Sequence, residues 1–274
     1  MFKKLWKQNK FKISFMIIVF LFLLAVLSYW VTPYNPDSMD LLSLEEAPSF
    51  THPFGTDDLG RDVFSRVLAG TRITLSVALI AVFISISIGT FYGAVSGYLG
   101  GKIDHLAMRI VDVLLSLPTL FLLLTIQVIL KPSIFNVMIV IGATSWMGVA
   151  RLVRAEFLKQ KKMNYVLTQK AYGFSNSKII FKTILPNTIG PIAVAATLGC
   201  AGAIMVESAL SFLGLGVQAP MASWGSMLQN AQEYLVSSWW LAAFPGFFIF
   251  LSVLCFNFMG ETIRETISAK EGVS

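Results

Sequence analysis

The sequence predicts an all-α, polytopic membrane protein of about six transmembrane helices, with an irregular outer region after the first of them. Three observations predict it. The 274 residues are 55% hydrophobic and only 13% charged, with a mean hydropathy of +0.72; a water-facing shell needs roughly twice that charge density. The apolar residues form six long continuous runs, at about 13–32, 73–99, 106–130, 132–150, 185–212 and 239–260. Each approaches the ~20 residues that a helix needs to cross the hydrocarbon core. None alternates as a barrel strand would, and lipid offers no partner to an open strand edge. Finally, the basic residues gather at the ends of these runs and mostly on one side.

The first run follows Lys3, Lys4, Lys7, Lys10 and Lys12 and ends in Ser28-Tyr29-Trp30. It is too long for a signal-peptide core and shows no small-residue cleavage site, so residues 1–32 read as a cytoplasmic N-terminus and an uncleaved first span. Residues 33–70 form the outer region. They carry seven acids (Asp37, Asp40, Glu45, Glu46, Asp57, Asp58 and Asp62) and turn formers at Pro33, Asn35-Pro36, Pro53 and Gly55. The transmembrane domain is expected over 71–263, with a cytoplasmic tail at 264–274.

The second run repeats glycine at Gly89, Gly93 and Gly97, one helix face, which lets a neighbouring helix come close. The third holds Arg109 and Asp112 one turn apart, an expected ion pair, because a lone charge in lipid costs about 2.5–3.5 kcal/mol. The fifth carries Glu207 some 22 residues beyond Leu185. At ~1.5 Å per residue it lies near the outer face. Glu207, Ser208 and Ser211 are therefore candidate pore or vestibule residues, or caps for helix-breaking backbone. A second outer segment, about 213–238, has no basic residue.

Six spans place both termini on one side. With the N-terminus inside, five Lys at the start, Lys102 and Arg109, eight cations from Arg151 to Lys182, and Arg264 with Lys270 are cytoplasmic. Only Arg61, Arg66, Arg72 and Lys131 are outside. That asymmetry orients the protein. It also accounts for the net charge of +6 without nucleic acid, since the cations are not interleaved with stacking aromatics.

No catalytic residue is expected. Gly100-Gly101-Lys102-Ile103 lacks the first glycine and the hydroxyl of a phosphate loop. Ser85, Ser87 and Ser116 have no evident base. Cys200 and Cys255 sit in apolar runs, and His52 and His105 are isolated, so no metal site and no bound cofactor is expected.

The inner segment 151–184 is the most informative. From Lys161 it reads as two short amphipathic helices broken at Gly173, with Tyr172 and Phe174 exposed beside the break. From composition alone, insertion into a groove of a soluble partner and an interfacial position on anionic lipid suit it equally well. Pro186 marks a helix start at the membrane face.

Tyr165-Val166, Lys170-Ala171, Gly173, Ile179-Ile180 and Ile184-Leu185-Pro186-Asn187 resemble the cytoplasmic EAA loop of ATP-binding-cassette (ABC) importer permeases. The block His52-Pro53-Phe54-Gly55-Thr56-Asp57-Asp58-Leu59-Gly60-Arg61-Asp62-Val63-Phe64-Ser65-Arg66 resembles the one after the first span in the dipeptide/oligopeptide/nickel subfamily, on its second (C-type) subunit. Leu210-Ser211-Phe212-Leu213-Gly214-Leu215-Gly216-Val217-Gln218-Ala219-Pro220, then Ser223-Trp224-Gly225, is similar to that subunit's block after the fifth span. The resemblance covers about residues 10–268. It implies the type I ABC importer permease fold, in the bacterial inner membrane. It implies a coupling loop over 161–186 that docks on an ATPase through Tyr165, Val166, Lys170, Ala171, Tyr172, Gly173, Phe174, Leu185 and Pro186. It further implies a homologous second permease, two ABC ATPases holding ATP and Mg, an extracytoplasmic solute-binding protein and surrounding lipid. The implied cargo is a peptide; nickel or a metal chelate is the alternative within the same machine. An ATPase-independent secondary transporter is the rival class, and it would show broken spans with paired ionisable groups. One departure stands out: Leu167-Thr168-Gln169 replaces the usual Glu-Ala-Ala, removing the acid that would contact the ATPase.

Overall fold

The computed structural model describes residues 2–130 and 133–269. Lys131 and Lys270, two of the cations in the charge asymmetry, lie outside them. Within the described residues the elements are helical, and the one extended pairing is an isolated bridge between Thr56 and Asp62.

A short turn α1 (Phe2–Leu5) leads into the first span α2 (Asn9–Val31). The second, α3 (Val63–Leu99), starts earlier than its apolar run because Asp62 caps it, accepting from the Ser65 N–H at 2.8 Å. Residues 63–70, expected in the outer loop, are therefore helix. At 37 residues, α3 is roughly 55 Å long and outreaches the hydrocarbon core.

The third run does not form one helix. It divides into α4 (Gly101–Ser116) and α5 (Thr119–Ile129), bent by 83°. Pro118 is the cause: its ring disfavours helical backbone at the preceding residue, and Leu117 is extended at φ −81°, ψ 132°. The expected Arg109–Asp112 pair is also replaced. Asp112 pairs with Arg151 of the fourth span α6 (Ile134–Lys161), and Asp104 of α4 binds Arg154 through Nε and Nη2 at 2.5 and 2.6 Å.

After α6 come two short helices, α7 (Asn164–Ala171) and α8 (Asn176–Ile179). Pro186 stands in the first turn of α9 (Leu185–Phe212) as expected, but a π-helical turn, Ile180–Ile184, joins α8 to α9, so the helical run as a whole begins earlier, at Asn176. Proline has no N–H to give and crowds the turn before it. The wider turn just ahead of it accommodates that loss, with the Leu185 N–H bonded back to the Ile180 carbonyl. The acidic end then carries α10 (Trp224–Asn230), a 3₁₀ turn and the last span α11 (Trp240–Ser268).

The most extensive packing is α3 against α6, and α9 and α2 also lie on α3. A Cβ at Gly89 would sit 2.6 Å from the Val149 Cβ. One at Gly93 would fall against the Ala150 carbonyl, and one at Gly97 would lie 2.8 Å from the Arg154 carbonyl. The backbones touch because these side chains are absent. Phe83, Phe91, Phe121, Phe135 and Phe250 are exposed on the apolar spans.

Candidate functional site: a projecting elbow and a buried polar knot

At the basic end, α7 stops in a glycine-terminated cap. The Gly173 N–H bonds the Lys170 carbonyl and the Phe174 N–H bonds the Gln169 carbonyl, both at 3.1 Å. This pairing demands left-handed backbone at Gly173, found at φ +75°. Ser175 then caps α8, accepting from the Lys178 N–H. Between the two caps Tyr172 stands 80% exposed and Phe174 39% exposed, with the Lys178 ammonium 3.8 Å from the Phe174 ring.

The elbow is anchored while its tip is bare. Val166, Ile179 and Ile184 are buried with Val153 and Phe157 of α6 and Tyr98 of α3. Gln169, in the stretch that departs from Glu-Ala-Ala, accepts from the Thr183 hydroxyl at 2.7 Å and so braces α7 to the π turn. Tyr165, Lys170, Ala171 and Pro186 are exposed and Leu185 is half-buried.

At the acidic end, Glu207 and Ser211 have no exposed surface and Ser208 little. They face packed helices rather than open space. Glu207 Oε1 accepts from Ser211 at 2.7 Å and Oε2 from Thr74 at 3.2 Å. The Thr74 oxygen in turn accepts the Trp224 N–H at 3.3 Å, and the Ser211 oxygen the Val217 N–H at 3.1 Å. The indole of Trp224 is wholly buried and donates to the Val67 carbonyl at 3.2 Å. The knot thus ties the segment 213–230 onto α3 and α9. Position alone put Glu207 near the outer face; its partners Thr74 and Trp224 come from distant sequence and carried no local signal.

The block 52–66 builds the neighbouring platform. Asp57 receives Arg61 Nε at 2.7 Å, and Asp62 holds His52 Nδ1 at 2.9 Å while capping α3. Burial, then the neighbouring Asp57, pushes the Asp58 carboxyl above the ordinary range, opposed by Arg61. Phe54 stacks on Phe244 at 3.8 Å, and Trp240 Nε1 donates to the Thr56 carbonyl at 3.1 Å, which seats the platform on α11.

Comparison with known proteins is decisive here. Residues 86–268 match the family described as "Binding-protein-dependent transport system inner membrane component". The chain belongs to this family. The dipeptide transport system permease protein DppC of Bacillus subtilis is 42% identical over 266 residues, 96% of this chain and 83% of that one. The oligopeptide transport system permease protein OppC of Haemophilus influenzae is 40% identical over 272 residues, 98% and 88% of the two chains. Among solved structures, the MetNI methionine ABC transporter in an inward-facing conformation has a TM-score of 0.61 at 17% identity, covering 74% of this chain and 96% of that one. That likeness shows the type I importer permease fold. The broken third run and its ion pairs to α6 match features of the rival secondary-transporter class, but membership of this family makes the chain an inner-membrane component of a binding-protein-dependent transport system.

Proposed function

We propose that this chain is one of two related permease subunits of an ATP-driven importer of short peptides. Both termini lie in the cytoplasm. Residues 1–32 supply the first span, 33–70 an outer region and 71–263 the transmembrane domain. The elbow 161–186 docks on a separate ATPase pair, which holds ATP and Mg, and a solute-binding protein delivers cargo to the acidic face.

One observation carries this reading: the Tyr172–Gly173–Phe174 knob is exposed on a cationic segment whose base is fixed in the helix bundle. An apolar projection on a rigid base suits a groove in a soluble partner. A helix lying on lipid would instead spread its apolar residues along one face. Peptide as cargo is supported by the dipeptide and oligopeptide relatives named above. Tyr165, Val166, Lys170, Ala171, Leu185 and Pro186 form the rest of the docking element. Glu207, Ser208 and Ser211 hold the outer seal of the path, and Gly89, Gly93 and Gly97 its rigid wall.

The test is copurification followed by Tyr172→Asp. The wild-type chain should bring down a sister permease and two ATPases. A carboxylate at the knob should lower ATPase retention and ATP-driven peptide uptake by about tenfold or more, as a lost hot-spot aromatic does. Unchanged retention and uptake in Tyr172→Asp would reject the docking assignment.

A further inference from the structure

We propose that α3 is the lever that carries the elbow's movement to the acidic end, with Tyr98 and Thr74 as its positioning residues. The inference rests on the import function proposed above.

Tyr98 lies at the basic end of α3 and holds both sides of the elbow. Its hydroxyl donates to Asn176 Oδ1 at 2.7 Å, in the first residue of α8 where the chain leaves the elbow. Its carbonyl accepts from Lys161 Nζ at 2.5 Å, in the last residue of α6 where the chain enters it. The same ammonium lies 5.5 Å from the Tyr98 ring. A displacement of the docked knob relative to the bundle must therefore pull on Tyr98 from two directions.

The other attachment is at Thr74, roughly 36 Å away along the helix. Its hydroxyl donates to Glu207 on α9 and accepts from the Trp224 backbone at the start of α10. The indole of Trp224 also hangs on the α3 carbonyl of Val67. The segment that seals the acidic end is thus suspended from the helix that holds the elbow.

Between these points α3 transmits rather than bends. It is an unbroken helix without proline, and contact at Gly89, Gly93 and Gly97 keys it to α6 so closely that sliding would drive backbone into side chain. Packed interfaces of this kind shift between discrete arrangements instead of deforming continuously. Two hydrogen-bonded ends on one rigid helix form a physically connected route, and coupling energy is the quantity that tests it.

The experiment uses the complete complex in proteoliposomes, with its ATPases, sister permease and binding protein, and radiolabelled tri-alanine as the probe. Tyr98→Phe and Thr74→Val each delete a hydroxyl. ATP hydrolysis should persist while tri-alanine imported per ATP falls by about fivefold, the equivalent of one hydrogen bond. Asn176→Ala added to Tyr98→Phe should cause no further loss, since the two residues share one bond. Thr74→Ser, which keeps the hydroxyl, should restore the ratio. Spin labels on Ser177 and Leu235 give a second measurement on the same complexes. ATP should move both in the wild type, whereas in Tyr98→Phe the Ser177 label should move as before and the Leu235 label in a smaller share of the complexes, in line with the fall in import. A wild-type transport ratio in both variants, a parallel fall of hydrolysis and import, or undiminished movement of the Leu235 label in Tyr98→Phe would overturn the lever. A wild-type complex that hydrolyses ATP without importing any peptide would instead overturn the functional reading, and the lever with it.

Discussion

Glu207 shows what a single residue does in a closed polar knot. Each carboxylate oxygen accepts one hydroxyl, Ser211 on one side and Thr74 on the other. Those hydroxyl oxygens also accept, Ser211 from the Val217 N–H and the Ser223 hydroxyl and Thr74 from the Trp224 N–H, which leaves their own protons to donate to Glu207. Glu207→Gln keeps the shape but sets an amide donor against one of these donors. An unmet buried polar group costs about 1–3 kcal/mol. The expected result is a clear drop in the melting temperature of the detergent-solubilised protein, with the loss centred on the 213–230 segment in hydrogen exchange. An unchanged melting temperature would mean the hydroxyls can reverse freely, contrary to their backbone partners.

Helix contacts set the behaviour of whole elements. A methyl on Gly93 meets the backbone carbonyl of Ala150 and lies within 2.9 Å of the Arg154 nitrogen, and neither atom can rotate away. Gly148, on the same helix as Ala150, has nothing within 4 Å of its would-be Cβ. Gly93→Ala should therefore force α3 and α6 apart and cost about 1–3 kcal/mol, the usual range for overpacking. Gly148→Ala should leave the melting temperature unchanged or slightly raised, since alanine is the better helix former. Equal effects at the two positions would remove close approach as the role of the α3 glycines. The glycine repeat was legible because its four-residue period alone defines a helix face. So was the elbow, because Gly173 between two amphipathic stretches is a local signal. The bend at Leu117-Pro118 was written just as locally, yet the length of the apolar run concealed it. Pro186 marked the start of α9, but nothing local announced the π turn before it, whose flanks Ile179 and Ile184 are buried against other helices. The polar knot was beyond sequence reading because Thr74, Glu207 and Trp224 meet only when three elements pack.

At the scale of the molecule, charge separates the two ends. The N-terminal lysines and the cations from Arg151 to Lys182 occupy one end. At the other, Arg61 and Arg66 are buried against Asp57, with Arg66 also reaching Asp37, which leaves Asp40, Glu46 and Glu233 exposed. Cations near span ends tend to be held on the cytoplasmic side, so the function proposed above requires the basic end to face inward, the one orientation in which the elbow could meet an ATPase. The two native cysteines, Cys200 and Cys255, are buried, so the wild-type chain should react little with a membrane-impermeant maleimide. Ser49→Cys and Ser177→Cys, both at exposed positions, then report the two ends separately. In intact cells stripped of their outer envelope, the reagent should label Ser49→Cys at once and Ser177→Cys only after the membrane is opened. The reverse pattern would turn the molecule over, place the knob outside and separate it from any ATP-hydrolysing partner.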